Sequence, residues 1–349
     1  MKKLAILFGG VSTEHDVSIV SGLCVLKNVN KKKYEVYPIY IDCIGNFYEY
    51  KEDVDTLEDL KVGYKVDNIE KIDNIIEYLS NMDVVFPVLH GSYGEDGAIQ
   101  GLLECINKPY VGCNILASSV CMDKLYAKVI FDRAGIKQSK YEYIKKYNDN
   151  YIYVDKSFNE TIMDIEKVID VLENSLKYPM FVKPSNSGSS VGISKVKNKD
   201  ELKNGIEYAS KFDRKIIIEE GVVGKEVECA VLGNEAVEAS CLGQIIPPED
   251  DFYSYEAKYK NDEAKLVIPL KLDIEDEVRK TAIKAFKAVD GKGLSRVDFF
   301  VTDDNEIYIN EINTMPGFTN ISMYSKLWNE SGINYSDLID KLIDLAFEE

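Results

Sequence analysis

The chain has 349 residues, enough for two or three domains with a sizeable buried core. Apolar residues make up 45% and charged residues 29%, an ordinary globular composition, and 60 acidic against 42 basic residues leave a net charge of -18. That field repels phosphate backbones and anionic bilayers, which excludes nucleic acid and membrane as partners; a small anion can still enter a locally positive pocket.

The first apolar run, Leu4 to Phe8 in "MKKLAILFGG", is shorter than the ~7–15 residues of a secretory core, and the two glycines after it mark a strand-to-loop turn. "TEHDVSIVSGLCVLKNV" follows with Val17, Val20 and Cys24 at helical spacing, Thr13 being the expected N-cap. "EVYPIYI" and "DVVFPVLHG" read as buried strands, and "GAIQGLLECIN" as a helix before "PYVG". This βαβ alternation makes residues 1–112 a small parallel-sheet α/β domain. Residues 113–222 hold one helix over "SSVCMDKLYAKVIFDRAG", a Tyr/Lys-rich segment and a helix over "ETIMDIEKVIDVLENS". The strand "PMFVKP", the helix "DELKNGIEYASK" and the strand "RKIIIEE" complete this part. Residues 223–349 begin with the strands "KEVECAVLG" and "EAVEAS" and continue into an irregular stretch at 246–269, a length that points to a functional loop. The helix "DIEDEVRKTAIKAFKAV", a hairpin and two helices follow. The overall class is α/β, α+β when the later segments are included. Seven cysteines without a CxxC pair read as reduced thiols of a cytoplasmic protein. Two histidines, His15 and His90, are too few for a histidine-based zinc site; His15 reads as a surface residue at a helix start.

The hairpin "SRVDFFVTDDNEIYINEINTMPG" carries the sharpest chemical signal. A turn at Asp304–Asn305 sets Asp298 opposite Glu311 and Arg296 opposite Asn313, all on one face because strand side chains alternate. Directly opposed side chains lie ~4.5–5.5 Å apart, where like charges repel, so two carboxylates there ask for a cation. The donors are all oxygens: Asp298, Glu311 and the Asn313 amide. Such a set suits magnesium or manganese, whose shell substrate phosphates commonly complete. "FVKPSNSGSSVG" fits the same purpose: Lys183 ends a strand, and Gly188 and Gly192 let the backbone approach an anion. Lys124 in "MDK" and Lys258 in "YEAKY" are further candidates for meeting triphosphate charge.

The ordered motifs "LFGGVSTEHDVS", "FPVLHGSYGEDGAIQG", "YVGCNILASSVCMDK", "FVKPSNSGSSVG", "YSYEAKY", "SRVDFF" and "NEINTMPGFTNIS" resemble those of the D-alanine–D-alanine ligases, members of the ATP-grasp superfamily, nearly end to end. The resemblance implies an ATP-grasp fold with an N-terminal parallel-sheet α/β domain, and three domains at 1–112, 113–222 and 223–349. It implies ATP-dependent joining of two D-alanines through an acyl phosphate for peptidoglycan synthesis, with two Mg2+ or Mn2+ ions, in a cytoplasmic homodimer. By position, Lys124, Lys183, Ser190 and Lys258 resemble phosphate-binding residues. Glu219, Glu220 and Val222 resemble the adenine hinge, and Glu226 lies near the ribose. Asp298, Glu311 and Asn313 match the metal ligands, and Arg296 and Gly317 the groups that stabilise the tetrahedral intermediate. Glu14 resembles the carboxylate that holds the first substrate's ammonium, with Ser189 and Tyr259 as its hydrogen-bonding partners. His90 fills the histidine position near that substrate, and Ser322 with Met323 the second-substrate pocket. The irregular stretch is the expected lid. The nearest rivals within the family place D-serine or D-lactate second.

Overall fold

The computed structural model describes residues 1–57, 60–246, 265–319 and 322–348. Three sheets organise them. The first holds β1 (Lys2–Gly9), β2 (Tyr34–Ile41), β3 (Phe47–Tyr50), β4 (Ile69–Lys71) and β5 (Val84–Pro87) in the order β4-β3-β2-β1-β5. Its centre, β2-β1-β5, is parallel as expected, while β3 and β4 add an antiparallel edge that the βαβ pattern did not show. Helices α1 (His15–Asn28), α2 (Ile75–Ser80) and α3 (Ala98–Cys105) belong to this unit. The N-cap position of α1 is Glu14, not Thr13. His15 is half-buried rather than a surface residue, its ring nitrogens engaging Gly10 O and Tyr40 Oη.

The expected single helix around "SSVCMDKLYAK" is two: α4 (Ile115–Met122) and α5 (Lys124–Ala134). Asp123 breaks them with an extended ψ of 100° and caps α5 by accepting the Leu125 N–H. The second sheet is antiparallel throughout. It runs β10-β9-β11-β6-β7-β8 through β6 (Tyr141–Tyr147), β7 (Asn150–Val154), β8 (Glu160–Met163), β9 (Met180–Pro184), β10 (Ser194–Val196) and β11 (Lys215–Glu220). The Tyr/Lys-rich segment is therefore strand, and α6 (Ile165–Ser175) begins only after β8. Helices α6 and α7 (Lys199–Ala209) bury Val168, Leu172, Leu202 and Ile206 against Val182, Ile216 and Ile218.

The third sheet, β14-β13-β12-β15-β16, is also antiparallel. It uses β12 (Lys225–Leu232), β13 (Glu238–Ile246), β14 (Lys265–Leu270), β15 (Leu294–Val301) and β16 (Ile307–Asn313). The expected irregular stretch is thus strand at both margins, and residues 247–264 lie outside the described ones. Helix α8 (Glu275–Ala288) packs one face of this sheet together with α5. Helix α9 (Met323–Glu330) covers the other, and α10 (Tyr335–Leu345) packs on α9 and α1. There Trp328, Leu338 and Leu342 share one core with Leu4, Phe8 and Leu23, joining the third sheet to the first.

The β15–β16 ribbon pairs Asp298 with Glu311 and Arg296 with Asn313, as expected. Its turn differs. Asp303, Asp304 and Asn305 form a three-residue loop closed by Thr302 N–H to Glu306 O at 3.1 Å, with Asn305 at φ 60°. This shifts the outer register by one residue, and a bulge beyond Asp298 restores it. Leu342, fully buried in the shared core, anchors α10. Leu342→Ala is expected to remove about 2–5 kcal/mol of stability. Urea denaturation measures it, and an unchanged midpoint would remove α10 from that core.

Candidate active site

A cleft of about 1940 Å3 opens between the second and third sheets and reaches the loops after β1 and β5. Asp123, beside the cleft-lining Met122 and Lys124, fixes one wall. The Asp123 carboxylate accepts from the Ser185 hydroxyl at 2.5 Å and pairs with Lys215, tying the start of α5 to the ends of β9 and β11. That tie places Lys124 with its amine 2.8 Å from Ser187 O and 3.4 Å from Glu311 Oε2. Lys183, at the end of β9, pairs with Glu219 Oε2, and Lys128 takes Glu219 Oε1 at 2.6 Å. Burial alone would push the Glu219 carboxyl up, but the two lysines hold it well below the usual carboxylate range.

On the ribbon, the Arg296 Nε and Nη2 atoms donate to the two Asp298 oxygens at 2.7 Å each. The Asn313 amide donates to Asp298 Oδ2 at 2.9 Å. Glu228, which pairs with Asp298 across β12–β15, lies 3.1 Å from Arg296 Nε. The opposed carboxylates are therefore balanced by Arg296 on one side and Lys124 on the other. Two carboxylates and one amide make an all-oxygen donor set, which fits a hard divalent cation. Among the described residues, no group of three or more His, Cys, Asp or Glu side chains is gathered that could hold a metal ion, so the ribbon offers two carboxylates and the amide alone.

At the other end Glu14 is buried, 8% exposed, and accepts from the Ser189 hydroxyl. The Ser12 hydroxyl receives the Glu14 N–H at 3.0 Å and donates to His90 O at 2.6 Å. Two glycines make room: a Cβ at Gly91 or Gly188 would lie 2.6 or 2.9 Å from Glu14 Oε2. Gly188 thus spares Glu14, while the left-handed positions of this loop are Ser189 (φ 49°), Ser190 (φ 60°) and Gly192 (φ 79°). His90, 4% exposed, donates from Nδ1 to Met315 O at 3.1 Å and accepts the Ser21 hydroxyl on Nε2 at 2.8 Å. Burial lowers its basicity, so it stands as a neutral brace for the segment carrying Gly317. Ser322 accepts the Thr319 N–H at 2.9 Å, and a Cβ on Gly317 would come within 2.9 Å of its hydroxyl.

The cleft brings together Glu14, His90, Lys124, Lys183, Ser189 and Ser190 with Glu219, Glu220, Val222 and Glu226. Arg296, Asp298, Glu311, Asn313, Gly317, Ser322 and Met323 line it as well. Lys258 and Tyr259 lie outside the described residues. Three further groups escaped sequence reading. Lys128 follows Lys124 by one helical turn, and Glu228 follows Glu226 on one face of β12; those spacings were the available signals. Glu95 accepts the N–H groups of Gly91 at 2.8 Å and Met315 at 3.2 Å. Its burial, with Glu14 nearby, pushes its carboxyl up to about 8.

Two family models match the chain: "D-ala D-ala ligase N-terminus" over residues 3–113 and "D-ala D-ala ligase C-terminus" over residues 130–344. A D-alanine–D-alanine ligase of Acetivibrio thermocellus is 48% identical, covering 99% of this chain and 96% of its own. The solved VanG D-Ala:D-Ser ligase from Enterococcus faecalis superposes with a TM-score of 0.84 at 35% identity, covering 99% of both chains. The D-alanine–D-alanine ligase from Bacillus anthracis complexed with ATP gives a TM-score of 0.74 at 28% identity, over 99% of this chain and 97% of that one. The three-sheet architecture is accordingly the ATP-grasp fold, and the chain belongs to the D-alanine–D-alanine ligase family.

Proposed function

We propose that the chain joins two D-alanines into D-alanyl-D-alanine while ATP becomes ADP and phosphate, as a step of peptidoglycan precursor synthesis. The observation that carries this reading is the cleft's polarity. One end holds a buried carboxylate bonded to a serine; the other sets Lys124 and Arg296 against two opposed carboxylates and Lys183 against Glu219. The ATP bound to the Bacillus anthracis relative supports the co-substrate. The family resemblance supports a cytoplasmic homodimer working through units at 1–112, 113–222 and 223–349. Among the described residues, no helix is long and apolar enough to cross a membrane.

In this reading Glu219, Glu220 and Val222 receive adenine, Glu226 the ribose, and Lys124, Lys183, Ser190 and Lys258 the phosphates. Asp298, Glu311 and Asn313 would hold two magnesium or manganese ions, which when bound neutralise phosphate charge. Glu14, fixed by Ser189 and completed by Tyr259, takes the ammonium of the first D-alanine and aims its carboxylate at the triphosphate. Two unit charges 4 Å apart repel by about 4 kcal/mol at an effective dielectric near 20, and the lysines offset that repulsion. A carboxylate oxygen attacks the terminal phosphorus, ADP leaves, and an acyl phosphate forms. The second D-alanine, beside Ser322 and Met323, attacks the acyl carbon as a free amine. Arg296 and the Gly317 N–H hold the oxyanion until phosphate departs. The buried thioether of Met323 offers a D-serine hydroxyl little to bond, which favours D-alanine as second substrate. The similarity to a D-Ala:D-Ser ligase keeps D-serine as the second reading.

Phosphate release with ATP and D-alanine, D-serine or D-lactate tests the proposal. D-alanine alone is expected to support turnover, and release independent of any D-amino acid would reject it. Arg296→Ala is expected to lower kcat by about 10²–10³-fold, the loss seen when one oxyanion donor is removed. A chelator is expected to stop turnover and added magnesium to restore it; full activity in the chelator would refute the assignment of Asp298, Glu311 and Asn313.

A further inference from the structure

We infer that Lys128 is a positioning residue for the nucleotide end of the cleft: it holds one oxygen of Glu219 so that Lys183 keeps positive charge to offer a polyphosphate. The inference rests on the reading of Lys183 as a phosphate-binding group.

Lys128 is 2% exposed, an environment a lysine enters only when paired. Its amine lies 2.6 Å from Glu219 Oε1, 3.4 Å from Gln138 Oε1 and 3.3 Å from Ser139 Oγ, with the Tyr141 ring centroid 5.3 Å away. Filling space between α5 and the second sheet does not require a charge there, and desolvating one is costly. The arrangement of the partners gives the charge a purpose. Glu219, 5% exposed, divides its carboxylate between Lys128 and the cleft-lining Lys183. Two cations on one anion leave the trio with a single net positive charge. If Lys128 were neutral, Lys183 would be the sole lysine on that carboxylate. The pair would then carry no net charge, and the Lys183 ammonium would be held back toward β11 instead of into the cleft. A buried brace of purely structural value would instead lower stability and affect both substrates alike.

Isothermal titration of ATP with magnesium, in the absence of D-alanine, separates these outcomes in wild-type protein, Lys128→Met and Lys128→Arg. Lys128→Met is expected to weaken ATP binding about tenfold or more, the worth of one charge-assisted hydrogen bond, and Lys128→Arg to restore most of it. KM for D-alanine, taken from phosphate release at saturating ATP, is expected to stay within twofold. In a Glu219→Gln background the Lys128→Met change is expected to add nothing further. Should Lys128→Met fail to fold, Lys128→Gln replaces it in the same comparison. Unchanged ATP affinity overturns the inference, as does a parallel loss for ATP and D-alanine that tracks a fall in Tm. Wild-type protein that binds no ATP overturns the functional reading and this inference with it, and that result is visible before any variant is compared.

Discussion

Asp298 and Glu311 face each other across an antiparallel ribbon, and their mutual repulsion has to be answered by cations from elsewhere in the chain. Arg296, two residues along the same strand, grips Asp298 with two nitrogens. Lys124 reaches Glu311 from the first turn of α5. Glu228, on the neighbouring strand β12, engages the same guanidinium and adds a third carboxylate to the sheet. Each member constrains the next, so the ribbon, α5 and the ends of β9 and β11 are held in one relation by charge as much as by apolar packing.

The balance is local. The chain as a whole is strongly acidic, yet Lys124, Lys128, Lys183 and Arg296 converge on one region, where Glu219 is shared by two lysines and Asp298 is held by two guanidinium nitrogens. A cleft of this kind can attract a multiply charged anion inside a molecule that repels anions over most of its surface. The opposite end uses different means. Glu14 is fixed by hydroxyls and by the absence of side chains at Gly91 and Gly188, which suits a small zwitterion better than a phosphate.

The ribbon was legible because alternation with period two survives at the site whatever happens at the turn. The turn was not legible: a three-residue loop and a bulge cancel each other, and neither leaves a mark in "VTDDNEIYIN". The break between α4 and α5 was hidden for another reason. Residues on both sides favour helix, and Asp123 becomes a cap only when Ser185 and Lys215 arrive from other strands. β6 and β7 were masked by tyrosines and lysines that fit a helix, a strand or a loop. The pairing of Glu14 with Ser189 spans most of two sheets, so only the motifs shared with the family suggested it. Lys128 was overlooked because a lysine one turn after another reads as a solvated helix face. Its burial depends on Glu219, which lies far along the chain.

The apolar core shared by α10 and the first sheet has a bearing on how the molecule is made. Leu4, Phe8 and Leu23 leave the ribosome early, but Trp328, Leu338 and Leu342, which cover them, are translated long after. The first unit therefore cannot finish burying its own interior until those helices have been made, and must wait with an apolar surface exposed. A nascent chain stalled before α9 would present that surface to chaperones, and its release from them would depend on two short helices.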